Sequence, residues 1–253
     1  IRTRGAFDSR TNTVSWITAN TPELSLLAPG EERNIEIDVK LKDSFPIRRV
    51  SDKNFTLRLR AEIESPTVPP GTAAQKTISV GGIENKIGGK VQVNAKAFWR
   101  DAQTGILNSG PYPPQVGKST RYTIHWIITN YSTDLANVKI SAPLQSGTWF
   151  TGTVKSNATT QPTFDADSGI VRWELPTVPA TKGVLGTPYE AVFQVEATPS
   201  TNQLGQNMPL LGETRLEAED VFTGEKLQAS DLVLMTDLPD DTTITDQNRF
   251  VRP

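Results

Sequence analysis

The feature that most restricts this chain is a two-residue rhythm of apolar and polar side chains along much of its length. Tyr122, Ile124, Trp126 and Ile128 alternate with Thr123, His125, Ile127 and Thr129. Tyr189, Ala191, Phe193, Val195 and Ala197 alternate with Glu190, Val192, Gln194 and Glu196, and Ile35, Ile37, Val39 and Leu41 with Glu36, Asp38, Lys40 and Lys42. A strand points successive side chains to opposite faces, so these segments predict strands with one buried and one wet face, as in an antiparallel sandwich. Shorter runs predict strands over Val14–Ile17, Phe55–Ile63, Lys76–Val80, Val91–Ala97, Ala136–Ser141, Ile170–Leu175, Thr214–Val221 and Lys226–Met235. No segment carries a convincing helical stripe, and eighteen Gly and eighteen Pro suit many short strands joined by turns. The expected class is all-β.

Composition narrows the function classes. Hydrophobic residues are 36% of 253, so the core must be thin or divided between two domains. Lys and Arg total 26 against 28 Asp and Glu, which leaves no global field to attract nucleic acid or an anionic membrane. With no cysteine, structural disulfides and thiolate metal sites are excluded. No apolar run approaches the roughly 18 residues of a membrane helix. The chain opens Ile1-Arg2-Thr3-Arg4, without initiator Met or signal peptide, as expected of a processed chain or a piece of a longer one.

Internal repetition sets the organisation. Phe7-Asp8 followed by Val14-Ser15-Trp16 returns as Phe164-Asp165 followed by Val171-Arg172-Trp173, each residue 157 positions on. Leu59-Arg60-Ala61-Glu62 aligns with Leu216-Glu217-Ala218-Glu219 at the same spacing, and the runs Ile35–Leu41 and Ala191–Ala197 nearly so. About 75 residues separate Gly88-Gly89 from Phe164, whereas six precede Phe7. The first copy is therefore expected to lack its early strands and to leave sheet edges and inward faces uncovered. Residues 1–82 are expected to form this incomplete sandwich, 83–89 a linker, 90–238 a complete sandwich and 239–253 a tail, with Asp237–Asp241 in a linker to whatever follows.

The second copy reads Val116-Gly117-Lys118-Ser119-Thr120-Arg121-Tyr122-Thr123-Ile124, then Thr129-Asn130, then Ala136-Asn137-Val138-Lys139-Ile140, then Phe164-Asp165 through Gly169-Ile170-Val171-Arg172-Trp173. This order resembles the conserved repeat family of large bacterial and archaeal envelope proteins catalogued as the eleventh domain of unknown function. The match spans about Val116 to Ala197, with a weaker echo over residues 7–62. The resemblance implies tandem immunoglobulin-like β-sandwiches, the first incomplete, in a secreted or surface-anchored stalk. Two departures stand out: Ala142 precedes Pro143-Leu144 where the family places an Asp, and Asn108 to Pro114 looks like an insertion.

Little chemistry is legible. His125 is the single histidine and lies within a strand, where a structural role is expected; general base catalysis needs a positioned partner in a pocket. No catalytic triad or phosphate loop can be assembled, so no catalytic, cofactor-binding or metal-ligating residue is assigned and no cofactor is expected. Asp165 and Asp167, with Asp8 echoing the first, could begin a calcium loop, but copy one carries Arg10 for Asp167 and no downstream acid follows, so a β-turn fits better. An intramolecular isopeptide bond would need Lys90 or Lys96 to face Asp231. Trp99, Tyr112 and Trp149 fall near loops or strand ends and are the candidates for adhesion or glycan binding. Asn54, Asn130 and Asn157 head glycosylation-type triplets, and Asn130 equally suits a strand end, satisfying backbone groups.

The expected function is a non-catalytic spacer of a cell-surface or envelope protein, anchored through parts outside this chain. Its expected partners are other repeats of the same or neighbouring chains, with a cell-surface glycan or protein as a further candidate and nucleic acid excluded. Two alternatives stay open: an adhesin or glycan-binding module, and a filament or surface-layer subunit completed by β-strand donation.

Overall fold

The computed structural model describes residues 5–40, 45–245 and 249–253. Among them there is no α-helix, and fifteen strands account for nearly all regular structure. The chain divides into two compact units, residues 1–45 and 46–253.

In the first unit, β1 (Ala6–Asp8) and β2 (Thr13–Ser15) form an antiparallel hairpin with Phe7 opposite Val14, followed by a 3₁₀ turn at Pro22–Leu24. The remaining strands all belong to the second unit. An antiparallel ribbon comes first, β3 (Thr56–Ser65) with β4 (Thr77–Lys86). An immunoglobulin-like sandwich follows: β5 (Val91–Phe98), β6 (Thr120–Asn130), β7 (Leu135–Pro143), β8 (Thr148–Ser156), β9 (Thr163–Asp165), β10 (Ile170–Val178), β11 (Tyr189–Ala197), β12 (Pro209–Leu211), β13 (Thr214–Asp220), β14 (Lys226–Asp231) and β15 (Leu234–Met235).

One sheet has the order β5-β6-β11-β8 and the other β14-β13-β7-β10-β9, so β6 meets β11 and β7 meets β13 across long stretches of sequence. The alternation puts Tyr122, Ile124, Trp126 and Ile128 of β6 and Phe193 and Val195 of β11 between the sheets, against Val138 and Ile140 of β7, Val171 and Trp173 of β10, and Leu216 of β13. All of these are fully buried. The two large indoles keep their N–H groups bonded: Trp126 Nε1 donates to Thr214 Oγ1 at 3.1 Å, and Trp173 Nε1 to Thr160 Oγ1 at 3.1 Å. Trp126 also meets the Phe193 ring edge-on at 4.8 Å.

The 157-residue register reappears in three dimensions. Phe164 stands opposite Val171 as Phe7 stands opposite Val14. Arg10 N donates to Asp8 Oδ1 as Asp167 N donates to Asp165 Oδ1. Each turn closes through a left-handed residue, Asn12 (φ 52°) in one and Gly169 (φ 68°) in the other. Asn and Gly are the residues that tolerate that region, which explains the exchange at matching positions.

Several expectations need correction. Residues 35–40 are not a strand; Leu41 lies outside the described residues. Ile35, Ile37 and Val39 are exposed, whereas the matching β11 lies between β6 and β8 and is buried. Alternation alone does not hold a strand without hydrogen-bonded neighbours. The expected linker begins too early, because residues 83–86 continue β4. The expected tail is integrated: Asp241 and Val251 are buried, and Arg252 forms a parallel bridge with Gln115. The run Lys226–Met235 breaks into β14 and β15 where Leu232 N turns back to Asp231 Oδ1. β8 is not legible from the sequence because its Thr-rich run lacks a clear alternation.

Trp16 is half-buried, close enough to Gly5 that a Cβ added there would come within 2.9 Å of Trp16 Cε2; Trp173 is fully enclosed. Trp173→Ala should therefore lower the stability of the sandwich by about 4 kcal/mol in urea unfolding. Trp16→Ala should change the same transition by less than about 1 kcal/mol.

Candidate functional site: the joint between ribbon and sandwich

Several polar contacts between distant parts of the second unit lie where the β3–β4 ribbon runs into the sandwich. At the base of the ribbon, Ile87 N donates to Phe55 O and Asn54 N to Ser132 O, the latter at 2.8 Å. Lys53 Nζ lies 2.9 Å from Asp134 Oδ2, while Asp134 Oδ1 accepts Ala180 N. The Ala180 amide first, then Lys53, hold the Asp134 carboxyl below its usual pKa. Lys86 Nζ donates to Phe222 O and sits 4.8 Å from the Phe222 ring centroid.

Asp220, at the end of β13, ties these parts together. Its Oδ2 accepts Gly89 N at 2.7 Å, and its Oδ1 accepts Phe222 N and Thr223 N. Burial raises the pKa of this carboxyl, but donation from Gly89, Thr223, Phe222 and Thr133 outweighs burial and leaves it lowered. Gly89 is packed so closely that an added Cβ would come 1.9 Å from Thr133 Oγ1. Gly89 is therefore the tightly held residue of the crossing, while Gly88 stands open.

A second polar cluster covers the outer face of β6, which explains why β6 is buried on both sides. His125 lies between two carboxylates: its Nε2 is 2.9 Å from Asp101 Oδ2 and its Nδ1 2.7 Å from Glu190 Oε1. Both ring nitrogens are thus engaged by carboxylate oxygens. The side chains of His125 and Asp101 are 5% and 3% exposed. Burial pushes the Asp101 carboxyl up, and bonds from Thr104, His125 and Thr123 more than reverse this, leaving it lowered. Gln194 and Asn108 extend the network, with Gln194 Nε2 donating to Asn108 Oδ1 and Asn108 Nδ2 to Phe98 O. Neither imidazole nitrogen is free to face a substrate, so this arrangement fastens residues 99–108 to the sheet instead of supplying a base.

The other sequence candidates are not drawn into one site. Asp165 is occupied by its own turn and by Arg172 Nη1 at 2.7 Å; the Ser168 hydroxyl, then Arg172, set its pKa far down. Among the described residues, no group of three or more acidic or histidine side chains could hold a metal ion. Lys96 meets Asp240 at 3.1 Å and not Asp231, whose Oδ2 accepts Ala95 N; Lys90 lies over the Tyr131 ring. Trp99 stacks on Tyr112 at 5.1 Å, with Arg100 on its face, and Tyr112 donates to Thr236 O. Trp149 stands on β8 and is 56% exposed. Asn130 Nδ2 donates to Thr133 O, Val178 O and Pro179 O, satisfying backbone at the strand end. Asn157 brackets Pro188 and Glu190, and Asn54 is a left-handed residue at the joint. Two open hollows of about 340 and 220 Å³ lie on the sandwich; Arg172, Glu174, Arg215 and Glu217 line one, and Gln92, Asn94 and Ser230 the other.

Asp220, Asp134, Lys53 and Lys86 were not singled out from the sequence. One signal was available, since the register that matches Leu59–Glu62 with Leu216–Glu219 breaks at the next position, Ile63 against Asp220.

No family model matches this chain, and no curated protein matches it. Among solved structures it is similar to the major pilin SpaD of Corynebacterium diphtheriae, with 13% identity, TM-score 0.36, and coverage of 58% of this chain and 34% of the pilin. It is also similar to the major pilin subunit BcpA of Bacillus cereus, with 10% identity, TM-score 0.36, and coverage of 60% and 44%. The C-terminal domain of the antigen I/II polypeptide BspA of Streptococcus agalactiae gives 10% identity, TM-score 0.33, and coverage of 70% and 59%. The chain thus spans between about a third and three fifths of these chains.

Two outcomes follow from the site. Replacing His125 by Phe removes one of the bonds that hold the buried Asp101 carboxylate, so His125→Phe should cost about 2 kcal/mol in chemical denaturation. Asp220 binds fewer protons folded than unfolded near its unfolded pKa of about 4. Its contribution is present above that pH and is lost as pH falls through the lower native value. The urea midpoint should therefore drop on acidification from about pH 6 to 3. Asp220→Asn should be less stable at the upper pH and show a smaller acid-induced drop.

Proposed function

We propose that this chain is a non-catalytic structural module of a cell-surface or envelope protein, in which serial β-units are coupled stiffly so that their axis is held. The family resemblance in the sequence points to the same setting. The observation that carries the reading is the joint: β4 reaches Lys86 unbroken, and within three residues Gly89 is bonded to the buried Asp220. Interfaces between domains of one chain otherwise permit relative motion by default. Here Lys53–Asp134, Asn54–Ser132, Lys86–Phe222 and Gly89–Asp220 oppose bending from several directions.

The protection of the sandwich edge fits a module held in extended arrays. On the free edge of β5, Asp231 accepts Ala95 N, and just past the strand's end Asp241 accepts Trp99 N and Arg100 N. An edge so capped offers no template for sheet extension by chance encounters.

The chain has no cysteine, so two spin labels can be placed cleanly, through Ala73→Cys near the ribbon turn and Asn202→Cys on the sandwich. A single narrow distance distribution is expected, and Asp220→Ala should broaden it. A broad distribution in the otherwise unaltered chain would remove the spacer reading.

A further inference from the structure

The β3–β4 ribbon and the β13–β14 hairpin hold the same place in the repeat, yet their surroundings differ. Leu216 and Ala218 are buried, at 0% and 6% exposure, whereas their counterparts Leu59 and Ala61 are exposed, Leu59 to 42%. In the sandwich, β7 occupies the edge of β13 away from β14, with Leu216 opposite Ile140 and Arg215 opposite Ser141, and the β5-β6 sheet closes the apolar face. On β3, no strand among the described residues takes the equivalent edge.

The ribbon is two-faced. Its register puts Leu57, Leu59, Ala61 and Ile63 on one side, with Ile83 opposite Leu59. Arg58, Arg60, Glu62, Glu64 and Glu84 lie on the other and pair among themselves and with Lys76: Arg58–Glu84 at 2.9 Å, Arg60–Glu62 at 2.8 Å and Glu64–Lys76 at 2.9 Å. The charged side pairs its ions internally and also carries the exposed Ile78 and Val80, opposite Glu64 and Glu62; the side of Leu57, Leu59 and Ile63 carries no ionisable group. Nor do carboxylates among the described residues cap the backbone amides of β3, in contrast to β5.

We propose that the free edge and apolar side of β3 accept an extended segment of the β7 type from a neighbouring repeat, apolar at alternate positions and uncharged on its inward side. This rests on reading the chain as one of a series of like repeats. The second copy supplies the template: the segment would pair antiparallel with β3, as β7 pairs with β13, an apolar residue facing Leu59 as Ile140 faces Leu216. A second ribbon packed face to face is the poorer occupant. Ten residues of strand are about 33 Å long, and two strands are about 10 Å wide. Such a face gives a few hundred Å², well below the roughly 800 Å² per partner of a stable interface. Strand addition adds backbone hydrogen bonds that face-to-face packing lacks.

The probe is the synthetic β7 peptide, LANVKISAP, titrated into the intact chain and followed by amide hydrogen exchange. Exchange between Thr56 and Ser65 should slow by about tenfold or more at one peptide per chain, with β10 and β13 unchanged. The peptide with Glu at the positions of Val138 and Ile140 should have no effect. In the chain, Leu59→Glu with Ile63→Glu should abolish the response without moving the melting point of the sandwich, because both residues are exposed. No slowing, or slowing confined to β10 and β13 through displacement of the chain's own β7, would overturn the proposal. Concentration-dependent slowing without peptide would overturn it in favour of a second ribbon. None of these outcomes bears on the stiffness of the joint, so this inference can fail while the spacer reading stands.

Discussion

The arrangement of the second unit depends on one buried carboxylate. Asp220 ends β13, which is stitched to β14 on one side and β7 on the other, and its two oxygens take up three backbone amides from two separate segments. A buried carboxylate is costly unless its lone pairs are filled. Here the fillers are the amide of Gly89, where the chain enters the sandwich, and those of the turn carrying Phe222, on which Lys86 rests. Removing that charge would free the entry and the turn together. The same residue thus binds both the end of the crossing from the ribbon and the turn after β13.

A second economy lies in the cover of β6. A four-stranded sheet in a sandwich normally wets its outer face, but here the segment after β5 is drawn over it by His125, Asn108 and Gln194. The expected insertion, Asn108 to Pro114, belongs to this cover, with Tyr112 stacked on Trp99 and bonded to Thr236. Trp99 and Tyr112, which look like binding residues in the sequence, are spent on packing and the one histidine on fastening, whereas Trp149 stays exposed. Tyr112 and His125 enter the covered face with their polar atoms bonded, whereas the Trp99 indole is held by stacking, its buried N–H without a partner among the described residues.

The strands of the sandwich were legible because their alternation is backed by neighbours. Tyr122 to Ile128 and Tyr189 to Ala197 read as strands and are strands, paired with each other in register. Ile35 to Val39 has the same rhythm and is not a strand, since periodicity reports which face could be buried and not whether anything is present to bury it. β8 escaped notice for the opposite reason: Thr148 to Ser156 is mostly polar, and its place is set by pairing with β11 and by Phe150 stacking on Phe164. The joint was invisible because its partners, such as Lys53 with Asp134 and Gly89 with Asp220, are 81 and 131 residues apart. The repeat was the exception, a long-range fact readable directly, and it located the hairpins of both copies.

The central claim is that the crossing at Gly88-Gly89 is fixed by Asp220 and not a hinge. Hydrogen exchange at the single amide of Gly89 tests it most directly. If the bond to Asp220 holds the joint, that amide should exchange only when β13 unfolds, with protection equal to that of the Leu216 amide. Exchange at the rate of a free peptide while β13 stays protected would contradict the account.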